Sequence, residues 1–229
     1  LPPTWLPYDI AEGRKENLWD YSLRARYEFS PEAAVYLSYA TGTKGGGFIS
    51  NDALLLTNIR SGIDTFQYED ESAASWELGG KFRLAGGRGQ LNVAIFRTKF
   101  ADLQVSEYNG TAFVTGNAAQ AISQGVEVDT NWRLGEHWTL GGSLAYLDAY
   151  YDDFPGGQCR WNAPPTCNPA TNNLAGARLV RAPEWKGDAF VEARWPLPRD
   201  LFLAGRVSAN YQGRSFFQPD EHPLNSQPA

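Results

Sequence analysis

Hydrophobic and polar residues alternate with period two along most of this 229-residue chain. In VEVDTNWRLGEHWTLGGSLAYL, residues 126–147, Val126, Val128, Trp132 and Leu134 fall on one face, and Trp138, Leu140, Leu144 and Tyr146 resume it after Gly135-Glu136. Glu127, Asp129, Asn131, Arg133, Thr139, Gly141 and Ser143 lie between them. Successive side chains of a strand point to opposite faces, so this is a hairpin with one apolar and one polar side.

The same pattern predicts eight strands, near residues 19–29, 33–41, 73–84, 90–105, 121–134, 138–151, 182–195 and 201–212. Trp19, Tyr21, Leu23, Ala25, Tyr27 and Phe29 alternate with Asp20, Ser22, Arg24, Arg26 and Glu28 in the first. The fourth starts cleanly with Leu91, Val93 and Ile95, but its alternation fails at Phe96-Arg97. Short turns such as Ser30-Pro31-Glu32, where proline presets φ, take turns with long loops near 42–72, 106–119, 152–180 and 213–229.

Short connections at one end and long ones at the other are the asymmetry of an outer-membrane barrel. The strands also exceed the ~5–6 residues usual in globular proteins. The polar face is charged throughout, with Lys81, Arg83, Glu127, Asp129, Arg133, Glu192 and Arg194. Aromatic residues mark both ends of the apolar face: Phe29, Trp132, Trp138 and Trp195 beside the short turns, and Tyr39, Tyr146 and Tyr211 towards the loops. Two such girdles belong at the two membrane interfaces. The apolar side therefore faces lipid, and the expected fold is all-β, an arc of a transmembrane antiparallel barrel.

Composition agrees with that picture. There is no methionine, as expected of an internal fragment, and no apolar run approaches the roughly 18 residues of a spanning helix. The net charge of −6 gives no basic footprint for nucleic acid. Cys159 and Cys167, eight apart in a Pro- and Asn-rich segment without a nearby histidine, read as a local disulfide rather than a metal pair.

Six stretches in order resemble the C-terminal half of a TonB-dependent receptor barrel. They are SYATGTKGGGF (38–48), SWELGGKFRL (75–84), FRTKFADLQV (96–105), SQGVEVD (123–129), LAYLDAYYDDF (144–154) and RAPEWKGD (181–188). The resemblance implies a plugged barrel of about 22 strands in the outer membrane of a Gram-negative bacterium. It also implies a plug domain and TonB-binding segment upstream, about three further strands downstream, and open edges on this piece. Its implied work is energised import of a scarce solute, most often a ferric siderophore. The implied partners are outer-membrane lipid, the receptor's own plug, the TonB complex and the small-molecule ligand, with no cofactor. A passive porin-like barrel without a plug and a soluble carbohydrate-binding β-domain are the alternatives.

The loops offer Lys44, Arg60, Phe66, Tyr68, Tyr108, Phe113, Arg160 and Trp161. Arginine beside aromatic rings can hold an anionic, ring-bearing ligand; the competing reading is loop packing over the barrel mouth. The mixed charges of the polar face suit a wet lumen lying against a plug. GTKGGG, residues 42–47, lacks the order of a phosphate-binding loop and is a flexible loop. Neither His137, in a short turn, nor His222, in the tail, is placed to serve a wall serine, so no enzyme is expected.

Overall fold

The computed structural model describes residues 13–48, 67–108, 113–160 and 162–229. Its strands are β1 (Ser22–Ser30), β2 (Ala33–Lys44), β3 (Gly47–Phe48), β4 (Gln67–Tyr68), β5 (Glu71–Leu84), β6 (Gly89–Tyr108), β7 (Phe113–Leu134), β8 (Trp138–Asp153), β9 (Trp185–Leu197), β10 (Leu201–Gln212), β11 (Ser215–Phe216) and β12 (Ser226–Gln227). Eight of them make one antiparallel sheet in the order β1-β2-β5-β6-β7-β8-β9-β10. Two-residue strands pair as β3 with β4 and β11 with β12, inside the long connections.

Several boundaries differ from the sequence reading. The first strand begins at Ser22 rather than 19, because residues 20 and 21 meet β2 through side chains. Thr41 N–H donates to the Tyr21 carbonyl at 2.9 Å, but Tyr21 N–H donates to the Thr41 hydroxyl instead of returning a ladder bond. The expected loop at 106–119 is mostly strand: β6 runs 20 residues and β7 runs 22, paired out to Tyr108 opposite Phe113. β2 and β5 likewise reach into the expected 42–72 loop, as far as Lys44 opposite Glu71. These extensions have no lipid beside them, so nothing enforces an alternation in their sequence. The turn expected from Pro196 is tighter; β9 continues to Leu197, and Arg199 and Asp200 turn the chain with φ of 63° and 58°.

Register places the apolar face. Leu37, Leu78, Ile95, Val126, Tyr146 and Trp185 stand in one row across six strands. One row nearer the loops come Tyr39, Trp76, Arg97, Gln124 and Asp148. Tyr211 lies lower, opposite Gly187, itself opposite Leu144. The upper aromatic residues thus step down across the sheet from Tyr39 and Trp76 through Tyr146 and Trp185 to Tyr211. A level interface crosses the strands obliquely only if the strands tilt, as barrel closure requires.

The band has membrane dimensions. From Trp185 to Trp195, both on β9, is ~33 Å along the strand, or about 25 Å of height at ~40° tilt, which matches an outer-membrane apolar band. Rings pair along both edges: Tyr39 with Trp76 (centroids 4.7 Å), Tyr146 with Trp185 (4.9 Å), and Trp138 edge-on to Trp195 (5.5 Å). Leu37, Leu78, Ile95, Leu144, Val191 and Val207 are all exposed between them. A soluble sheet would bury that face; here it is the lipid surface of an arc of a transmembrane barrel.

The opposite face is polar and tied across strands. Asn92 donates to Asp129 at 2.8 Å, and Arg206 pairs with Glu192 at 3.5 Å. Arg24, Arg194 and Arg206 lie over the rings of Tyr36, Phe202 and Phe190 at 4.0, 3.8 and 3.6 Å. Glycines on this face seat aromatic partners: Gly79 stands opposite Tyr36, and Gly141 opposite Phe190. A Cβ on Gly79 would come within 2.3 Å of the tyrosine ring, so only glycine admits the close cross-strand stack. The irregularity at Phe96-Arg97 has the same origin. β6 keeps its parity, but Phe96 turns inward over Gly125 while Arg97 takes the lipid-side position.

Candidate functional site: the loop-bearing end

Above the membrane band the molecule acquires a core. Val105, Ala119, Ala121, Tyr151, Phe154, Leu174 and Ala177 are buried together, with Phe100, Leu103 and Leu179 packed against them. Ala121 and Tyr151 face each other on the inward side of β7 and β8, and residues 154–184 fold down onto them. The returning limb prolongs the sheet: Tyr151 N–H donates to Ala177 O at 2.9 Å, Leu179 N–H to Ala149 O at 3.0 Å, and Leu147 N–H to Glu184 O at 2.8 Å.

The asparagines of this segment replace backbone partners that an irregular loop lacks. Asn173 accepts from the Phe154 and Ala175 amides and donates to Asp153 at 2.7 Å. Asn172 donates to the Gly157 and Gln158 carbonyls. Cys159 and Cys167 are joined, with their Cα atoms 6.1 Å apart. Arg160, Asn162, Thr166 and Asn168 line an open hollow of about 700 Å³ beside them.

Residues 213–229 dock on this lobe. Arg181 N–H donates to Phe216 O at 2.7 Å, and Glu221 binds twice: one oxygen accepts from the Arg178 amide at 2.9 Å and the other lies 3.6 Å from Arg160. Arg178 pairs through its side chain with Glu184 at 3.0 Å.

A second polar knot lies beside β2 and β5. Arg14 binds Glu16, Glu69 at 2.7 Å and Asp70 at 3.5 Å. The hydrogen bond from Arg14 holds the Glu69 carboxyl below its ordinary range, and Glu69 and Glu16 hold the guanidinium proton more tightly than usual. Asn117 accepts from the Glu69 amide at 2.6 Å and donates to the carbonyls of Glu69 and Asp102. Asp102 sits at φ 54° in a bulge of β6, which lets Leu103 join the buried cluster and Gln104 reach the Gly45 and Glu69 carbonyls at 3.0 Å. The Asp-Leu-Gln run thus bulges the strand and ties it to Gly45 and Glu69 beside the ends of β2 and β5.

The fold therefore distributes the loop residues named from sequence. Lys44 and Tyr68 flank the Arg14 knot; Arg160 belongs to the disulfide lobe, held by Glu221. Arg60, Phe66 and Trp161 lie outside the described residues. Tyr108 and Phe113 belong to strands rather than to a loop, paired at the hairpin tip with side chains outside the description. Phe29, packed edge-on against Tyr27 at 4.8 Å, and Trp132 join Trp138 and Trp195 near the short turns. Sequence reasoning passed over Trp76 and Trp185 in the upper belt, although both stand on the apolar face at the loop ends of their strands. It also passed over Arg14 and Glu221, whose partners Glu69 and Arg160 are distant in sequence and leave no local signal, and over Arg178, which pairs with the nearer Glu184.

A family model described as TonB dependent receptor-like, beta-barrel, matches residues 7–228. Among solved structures, the ferric yersiniabactin uptake receptor FyuA from Yersinia pestis superposes with a TM-score of 0.64 at 20% identity, over 90% of this chain and 27% of that one. The siderophore receptor PiuA from Acinetobacter baumannii gives 0.60 at 18% identity, over 86% and 26%. The receptor of the FpvAI–pyocin S2 complex gives 0.56 at 16%, over 89% and 24%. At these identities the likeness is one of fold, and the chain spans about a quarter of each solved receptor.

Proposed function

Because this chain belongs to the TonB-dependent receptor β-barrel family, we propose that it is wall and loops of a Gram-negative outer-membrane receptor that imports a ferric siderophore with energy from the TonB complex. The observation that carries the reading is the loop lobe: a disulfide-closed cap packed on the inward side of the upper sheet, with Arg160, Arg178 and Arg181 on its limbs. A guanidinium at a barrel mouth suits an anionic iron chelate, and Arg181 is exposed there, while Arg160 and Arg178 are paired with Glu221 and Glu184. The neighbours named as a ferric yersiniabactin uptake receptor and a siderophore receptor support the same substrate class. The inward wall, where Arg24, Arg194 and Arg206 are stacked on aromatic rings and Arg26 and Arg206 are paired with acids, suits contact with a plug domain rather than an open pore.

The test is uptake of an iron-55-labelled siderophore by iron-starved cells. Loss of uptake in a strain lacking the receptor, and equally in one lacking the TonB complex, is the expected result. Undiminished uptake of every ferric chelate tried, or uptake independent of TonB, would overturn the reading.

A further inference from the structure

The upper aromatic belt is interrupted on its lipid side. On β6 and β7, between Trp76 and Tyr146, the belt positions are held by Arg97 and Gln124, and Asp148 ends the same row on β8. Arg97 Nη1 donates to Gln124 Oε1 at 2.6 Å, and Gln124 Nε2 donates to Asp148 Oδ2 at 2.9 Å. Lys99 follows Arg97 on the same face, exposed, opposite Ala74 and Ile122. Arg97 stands on the fourth of eight strands, so its exposure is not an effect of the sheet edge.

A cation at this place needs an anion. Two strand spacings, about 10 Å, separate the Arg97 and Asp148 backbones, and Gln124 fills the interval. Among the described residues neither Arg97 nor Lys99 forms an ion pair. The nearest other acid in sequence register, Glu77, belongs to the inward face of β5. Directly below, Leu37, Leu78, Ile95, Val126 and Tyr146 line a lipid-facing groove of about 450 Å³ whose upper rim is Trp76, Arg97, Gln124 and Asp148. The combination is a charged head position above an apolar furrow at the height of the membrane interface.

We propose that this groove binds one anionic, phosphate-bearing lipid of the outer leaflet. Its phosphate takes the free donors of Arg97 and the ammonium of Lys99, and an acyl chain lies along Leu78, Ile95 and Val126. Guanidinium forks match phosphate oxygens in pairs, and aliphatic stems of interfacial cations lie along apolar surface while the heads reach the headgroup layer. Gln124 then has a positioning role: it fixes the fork and keeps Asp148 from neutralising it. The inference rests on the membrane-barrel reading and adds a lipid site to it.

The test uses the complete receptor purified from its own outer membrane, with lipid A as probe and phosphatidylcholine as the neutral comparison. Native mass spectrometry after delipidation and titration is expected to show one retained lipid A and no retained neutral lipid. Arg97→Gln should weaken retention about fivefold and Arg97→Gln with Lys99→Gln about thirtyfold, at ~1 kcal/mol per interfacial cation. Arg206→Gln, on the inward wall, should leave retention unchanged. Equal retention by the wild type and the double variant, or equal retention of the neutral lipid, would overturn the site. Gel mobility of the same preparation with and without boiling keeps the two readings apart: a heat-dependent shift with unaltered retention defeats the lipid site alone, whereas no shift defeats the barrel itself.

Discussion

The wall and the loop lobe are built from one chain by opposite rules. On the wall, Leu144 and Val191 are exposed and the polar residues turn inward. In the lobe, Tyr151, Phe154 and Leu174 are each 1% exposed beneath a skin of asparagine and charge. The changeover happens within β8, only a few residues past Tyr146 of the upper belt. Below that level lipid receives the apolar side chains, so no protein core is needed; above it water returns on all sides and the chain must supply its own core. Burial therefore reports the solvent at each height rather than the importance of a residue.

Substitutions can break this comparison. The largest effect is expected from Phe154→Ala, which should cost the lobe about 3–5 kcal/mol, read as rapid protease cleavage within residues 154–184 while the barrel keeps its heat-dependent gel shift. Leu144→Ala should cost far less, because lipid tails refill the space. If Leu144→Ala proves as damaging as Phe154→Ala, the apolar face is a protein core after all. Next, Val191→Arg, mid-band on the lipid side, should lower stability in urea titrations of the vesicle-embedded receptor by about 2–4 kcal/mol. Ser208→Arg, on the inward face beside it, should stay within ~0.5 kcal/mol.

Smaller changes sharpen the lobe side. Replacing both Cys159 and Cys167 by serine frees a loop worth ~2–3 kcal/mol of chain entropy, so hydrogen exchange should accelerate across 154–180 and stay unchanged in β9 and β10. The Arg14–Glu69 knot should give the smallest response. Because Glu69 is held below its ordinary range when folded, it binds fewer protons there than when released. Its contribution is complete above the ordinary carboxylate range and disappears as pH falls through the lowered value. Protease access to residues 13–21 should rise on acidification through that window, and Glu69→Gln should remove the pH dependence.

What could be read from the sequence was the part that lipid disciplines. Leu144 and Tyr146 against Ser143 and Ala145 require no knowledge of neighbours, because one solvent on each face imposes the alternation. Ser106 to Tyr108 and Phe113 to Ala119 lie past that discipline, so the ends of two strands there read as a loop. Phe96-Arg97 seemed a break in the alternation, although what changed was the chemistry expected at that height, not the parity. In the loops, Glu221 meets Arg160 across 61 positions of sequence, a pairing that no local pattern announces.

The order of the strands also has a kinetic meaning. Each wall strand lies beside the one before it, as β5-β6-β7-β8-β9-β10 shows. Every pairing step therefore closes only one connection, and the entropy of loop closure is met a hairpin at a time. Assembly can proceed as a zipper in chain order, rapid across the tight turns and slowest where β9 must find β8 past the 154–184 lobe. Chains arrested during insertion should be protected from protease in whole-hairpin steps, with the pause at β8.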